Sequence, residues 1–184
     1  LIDVCWQDRP EASTHTAILM PESLTGKSST EKRHAISEAV TDKGADAALI
    51  FAADSLAWLM NIRGQDVPCL PVVLGFGLLH TSGRLQFFTE PSKIPKGFDQ
   101  HVGEDVEVLP ESAAQEAFEA LSGKKVLADP ATANAWCQLS LQAAGAELIA
   151  EDDPVILPKA CKNPAEVTGM QNAHLRDGVA MVRF

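Results

Sequence analysis

The residues best suited to chemistry in this chain lie in one stretch, Asp54-Ser55-Leu56-Ala57-Trp58-Leu59-Met60-Asn61-Ile62-Arg63-Gly64-Gln65-Asp66-Val67-Pro68, directly after an apolar run. Asp54 reads as the cap of a short helix that partly buries Leu56, Trp58 and Leu59. Asn61, Arg63 and Asp66 then fall on a glycine-containing loop at the carboxyl side of a strand, where open α/β sheets place their contacts. Arg63 offers a planar fork for a carboxylate, and Asp66 is near enough in sequence to orient it. The plainer reading has Arg63 and Asp66 paired with each other, holding the loop. These three residues are the candidate site.

Other chemical motifs fail on their own geometry. Gly26-Lys27-Ser28 lacks the glycine that a phosphate loop needs five residues upstream, because position 21 is Pro, with no N–H and a fixed φ. Gly75-Phe76-Gly77 has His80 where a dinucleotide fingerprint needs glycine, and it lies inside an apolar run. Glu151-Asp152-Asp153-Pro154 has no further acids at cation-loop spacing and reads as a solvated turn. The five histidines are scattered, and His174 is expected as a hydrogen-bonded core residue on the last helix. Cys5, Cys69, Cys137 and Cys161 have no metal-finger spacing and read as reduced thiols. Cys69 with His80 as its base would make a nucleophile, but no fixed spacing supports it. No residue is assigned as catalytic, and none as a metal ligand.

The elements that must position the loop follow from periodicity. Ser28 and Glu31 form a capping box for a helix striped with Ile36, Ala39 and Val40 and stopped by Gly44, after an irregular opening to about Thr25 broken by Pro10 and Pro21. Residues 47–53 are a continuous apolar run of central-strand type. Residues 72–79 and 84–89 read as a hairpin about Thr81-Ser82-Gly83, followed by a loop over 91–97. Strands at 106–109, 125–128 and 147–150 alternate with helices at 111–121 and 133–144. That predicts an α/β fold with a mixed, six-stranded sheet flanked by helices. Asn163, Pro164 and Glu166 start a final helix whose apolar face is Val167, Met170, His174, Gly178 and Met181.

Composition bounds the function. The chain has 184 residues, enough for one domain with a real core, and 46% of them are hydrophobic. Its 15 Lys and Arg against 25 Asp and Glu leave a net charge of −10, which argues against nucleic acid as the natural partner. No apolar run approaches the roughly 20 residues that span a bilayer, and no signal peptide opens the chain. The chain begins at Leu1, and the last helix reaches Phe184 without a breaker, so the expectation is a piece of a longer polypeptide.

Three separated motifs resemble one family, the cytosolic three-domain Xaa-Pro aminopeptidases. The loop matches the family pattern at Asp54, Ala57, Trp58, Leu59, Asn61, Arg63, Gly64, Asp66, Val67 and Pro71, and departs at Gln65, Cys69 and Leu70. The opening Leu1-Ile2-Asp3 with Trp6, Asp8, Arg9 and Pro10 is similar to the entry into the family's middle domain. The closing Lys159-Ala160-Cys161-Lys162-Asn163, Glu166, Gly169-Met170 and Ala173-His174-Leu175-Arg176-Asp177 is similar to its connecting helix, with Gln171 in place of the usual Arg.

The resemblance implies a creatinase/prolidase N-terminal-like domain with ribonuclease H-like layering over 1–162, and a helix over 163–184 leading toward a pita-bread catalytic domain. It implies a cytoplasmic parent enzyme whose two divalent ions, commonly manganese, lie beyond Phe184 and activate water to cut the bond before proline. It also implies that this domain is non-catalytic, packs on its own downstream catalytic domain and helps bound the groove for proline-containing peptides. A homodimer stays open, as does the alternative of a binding module in a catalytically inactive pita-bread homologue.

Overall fold

A computed structural model of the chain describes residues 2–8 and 13–184; Leu1, Arg9 and Pro10, which carry part of the opening motif, lie outside the described residues. In chain order the elements are α1 (Ile2–Cys5), β1 (Ile18–Leu19), α2 (Glu22–Thr25), α3 (Ser29–Asp42), β2 (Ala47–Ile50), α4 (Ala53–Leu59), β3 (Ile62–Arg63), β4 (Phe76–His80) and β5 (Leu85–Phe88). Then follow α5 (Phe98–Val102), β6 (Val106–Leu109), α6 (Ala114–Glu119), β7 (Lys125–Ala128), α7 (Ala135–Ala143), β8 (Glu147–Ala150), α8 (Ile156–Ala160) and α9 (Pro164–Arg183).

The main sheet has six strands in the order β6-β5-β4-β2-β7-β8. β2, β7 and β8 run parallel, as do β5 and β6, while β4 is antiparallel to both its neighbours. The mixed sheet expected from the sequence is therefore present, and the hairpin is what reverses its direction. Gly83 turns that hairpin at φ 88°, donating to the carbonyl of His80 at 2.9 Å.

All four residues of β2 are buried, since helices cover both faces of the sheet. Ala48 and Ile50 point into one core with Ile36, Val40, Leu56 and Phe98 of α3, α4 and α5. Ala47 and Leu49 point into the other, with Phe118 of α6 and Cys137 and Leu141 of α7. Phe76 and Phe88 are register partners across β4 and β5 and stack at 4.8 Å in the second core.

Several boundaries differ from the periodic reading. The apolar run from Val72 becomes strand only at Phe76. Val72 and Val73 are buried, but the Asp66 carboxylate takes the Leu74 amide at 2.7 Å and Thr89 donates to the Leu74 carbonyl at 2.8 Å, so this backbone is committed away from the ladder. The β1–β3 ribbon, α5 and α8 are short and leave no periodic signature. Asp54 does not cap α4; the helix starts two residues earlier with Ala52 at the N-cap, which leaves Asp54 in the first turn, paired with Lys159 of α8.

The largest surprise is α3. Its capping box of Ser28 and Glu31 forms as expected, but beside Ile36 and Val40 it buries two consecutive cations, Lys32 and Arg33, at 2% and 1% exposure. Arg33 Nη2 donates to the carbonyls of Val102 (3.1 Å) and Glu104 (2.8 Å), and Nη1 donates to that of Gly83. One guanidinium thus ties the end of α5 and the hairpin turn to α3. Replacing it with an apolar chain takes the charged donor from all three carbonyls, with Thr30 Oγ1 still on that of Val102 at 3.3 Å, so Arg33→Met should cost about 3 kcal/mol in urea unfolding of the 184-residue chain. A loss under about 1 kcal/mol would show that the carbonyls are satisfied without it.

Candidate functional site

The loop that follows α4 is shaped from below by Lys32. Asn61 adopts a left-handed backbone, φ 53°, which asparagine tolerates better than most residues. Its side chain holds it there: Oδ1 accepts from Lys32 Nζ at 2.6 Å, and Nδ2 donates to the carbonyl of Lys27 at 2.8 Å. Its own carbonyl accepts from Met20 N at 2.8 Å and bonds His101 Nε2 at 3.0 Å. Asn61 is 3% exposed, and the kink sends Ile62 inward and leaves Arg63 half-buried at the surface.

Arg63 lines a cleft of about 580 Å³ between the α4–β3 segment and the first turns of α9. Its Nη1 donates to the carbonyls of Ile62 (2.8 Å) and Ala57 (3.4 Å). Burial draws its pKa down, and the charge of Glu166 opposes that. Asp66 points elsewhere: its carboxylate is buried and bound to Lys93 Nζ at 2.8 Å. Burial pushes that carboxyl up, but the Lys93 hydrogen bond and the Leu74 amide outweigh it and hold it below the usual range. The expected Arg63–Asp66 pair is replaced by Asp66–Lys93, because residues 72–74 and the 91–93 turn close on the loop from the other side. Of the three candidates, Arg63 reaches the cleft, while Asn61 and Asp66 support it from within.

Residues that the sequence reading left aside complete the cleft. Trp58 Nε1 donates to Glu166 Oε1 at 3.1 Å, and the Trp58 ring lies 4.2 Å from Lys32 Nζ. Glu166 also closes the capping box with Asn163 at the start of α9. Asn163 is seated against Gly26, φ 71°, where a Cβ would stand 2.4 Å from Asn163 Oδ1; its Nδ2 donates to the carbonyl of Thr25 at 2.8 Å. The capping box was legible, but its second use, as a latch on Trp58, depends on a contact 108 residues apart in sequence. The far side of α9 is bare: none of its residues is buried, and His174, expected in the core, is exposed with its ring bonded to the Met170 carbonyl at 2.9 Å.

This arrangement can bind but holds no reacting set. Among the described residues no group of three or more His, Cys, Asp or Glu can hold a metal ion. His80, the base that a Cys69 nucleophile would need, bonds Gln86 at 3.1 Å.

Burial holds the Lys32 ammonium down at about 8, against an ordinary 10.5, with Glu166 opposing and Arg63 and Lys27 adding. The native chain therefore sheds this proton at lower pH than the unfolded chain, and stability rises as pH passes about 8. Above pH 9 the Cys137 thiol, pushed up by burial to about 11, works in the opposite direction. Between pH 8 and 9 the chain should gain about 1 kcal/mol in denaturant unfolding, and Lys32→Met should abolish that slope. An unchanged slope in the variant would assign the pH dependence to another group.

Residues 8–166 match the Creatinase/Prolidase N-terminal domain family. A Dictyostelium discoideum protein, Xaa-Pro aminopeptidase 1, is 31% identical over 97% of the chain, which covers 28% of that protein. The Drosophila melanogaster Xaa-Pro aminopeptidase is 30% identical over all of the chain, which covers 30% of it. The crystal structure of a Caenorhabditis elegans X-prolyl aminopeptidase, described as a cytosolic enzyme with a di-nuclear active site, superposes with a TM-score of 0.87. That match is 25% identical and covers 99% of this chain and 30% of the other. An Xaa-Pro dipeptidase of Bacillus anthracis shares the fold at TM-score 0.59 and 19% identity. The chain thus spans about 30% of the length of these aminopeptidases.

Proposed function

Because this chain belongs to the Creatinase/Prolidase N-terminal domain family, we propose that it is the non-catalytic middle domain of a three-domain Xaa-Pro aminopeptidase, an enzyme that removes the N-terminal residue before proline. The reading rests on the relatives' names and coverage, and on Arg63 lining a cleft that the start of α9 completes. Residues 1–162 form the domain, and 163–184 form the helix leading to a catalytic domain. In the cytoplasmic parent this domain packs on that catalytic domain and walls one side of the groove for proline-containing peptides.

Two divalent ions, manganese by the same reading, belong to the catalytic domain, where they supply an activated water. The residues described here do not hold them, since no ligand cluster is present among them. What this chain contributes is position. Lys32 and Asn61 set the kink, Trp58 and Glu166 fix the start of α9, and Arg63 stands between them as a cation facing the groove.

The direct test is an assay of the 184-residue chain with manganese and a Gly-Pro peptide beside its full-length parent. The parent should turn the peptide over and the chain should not. Turnover by the chain alone would place chemistry in these residues, and an inert parent would favour the inactive pita-bread homologue. In the parent, Arg63→Ala should lower peptide turnover about tenfold or more while the melting temperature of the 184-residue chain stays unchanged. A drop in melting temperature with normal turnover would assign Arg63 to loop structure instead.

A further inference from the structure

The cleft beside Arg63 has a charge that its surroundings do not share. The chain carries −10 overall, yet Arg63, Lys159, Lys162 and Arg176 all line this one concavity against two acids, Asp54 and Glu166. Both acids are already engaged. Asp54 pairs with Lys159, and Glu166 accepts from Trp58 while closing the Asn163 box. Arg63, Lys162 and Arg176 form no ion pair among the described residues. Arg63 lines the cleft and uses only Nη1 on backbone carbonyls, so Nη2 and Nε have no hydrogen-bond partner among the described residues.

The walls between these cations are apolar. Trp58, Leu70 and Met170 line the same space, and Leu70 and Met170 are 48% and 49% exposed. A cavity of about 580 Å³ matches a ligand of two or three amino-acid residues. The acidic balance of the whole chain repels an extended polyanion, so the complementary occupant is short, singly charged and partly apolar.

We propose that this cleft binds an acidic peptide segment, its carboxylate held between Arg63 and Arg176 and a flanking apolar side chain against Trp58 and Met170. The proposal deepens the groove reading above and rests on it in naming a peptide as occupant. It needs no turnover, so the two fail separately.

The test titrates the 184-residue chain with N-acetyl-Leu-Glu-Leu-amide, its Gln analogue and inorganic phosphate at matched ionic strength. Calorimetry gives the affinity, and the Trp58 indole N–H signal, assigned with Trp58→Phe, gives the place. The Glu peptide should saturate and shift that signal, with the Gln peptide about tenfold weaker or worse. Arg176→Gln, at a solvent-exposed position on the cleft side of α9, should weaken the Glu peptide about as much without lowering the melting temperature, and Arg63→Gln should do so where it stays folded. Equal binding of the Gln peptide, no saturation by about 10 mM, or the same indole shift from phosphate alone would overturn the proposal.

Discussion

The buried ammonium of Lys32 is the contact on which the rest of the cleft depends. An uncompensated cation inside a protein costs several kcal/mol, so its presence at 2% exposure demands partners. It has three: the Asn61 amide oxygen, the Trp58 carbonyl and the face of the Trp58 ring. Each partner is itself part of a larger element. Asn61 turns the chain from α4 into β3, β3 pairs with β1, and Trp58 carries the hydrogen bond to Glu166. Remove the side chain, and the kink, the ribbon and the start of α9 lose a common anchor.

Arg33, the next residue, is buried for a different purpose. Lys32 addresses side-chain and backbone acceptors around the cleft, whereas Arg33 spends its planar fork on carbonyls where α5 ends and the hairpin turns. Together they fasten α3 to the α4–β3 turn, the hairpin turn and the end of α5. The sheet supplies the rigid surface between them. β4 runs antiparallel between β5 and β2, and that reversal brings the loop after β2 and the 91–93 turn together, so that Lys93 can reach Asp66.

How far the sequence could be read follows from where the physics is local. β6, β7 and β8 begin and end at the expected residues, because a short apolar run between turn signals is a local property. Both capping boxes form, because a side chain and an amide three residues apart are a local pair. Lys32 and Arg33 were not legible as buried, since nothing within α3 distinguishes them from solvated cations. Apart from Thr30, their partners lie 26 to 71 residues away. The same holds at the site. Arg63 and Asp66 look like partners in sequence, but Lys93 claims Asp66 from across the fold. The exposed face of α9 is the converse case, an amphipathic pattern that buries none of its residues among the described residues.

Gly26 gives that helix its mechanics. The side chain of Asn163 occupies the space that any Cβ at Gly26 would fill, so a residue in an N-terminal turn acts as the bearing for a helix whose cap lies 137 residues later. α9 is fixed there and at Glu166, and no residue of its outer turns is buried among the described residues. It is a lever clamped at one end. A helix of 20 residues is about 30 Å long, so a tilt of only about 10° at the clamp swings its tip by roughly 5 Å. The absence of one methyl group at Gly26 therefore sets the bearing's tolerance, and with it the aim of everything that the lever carries.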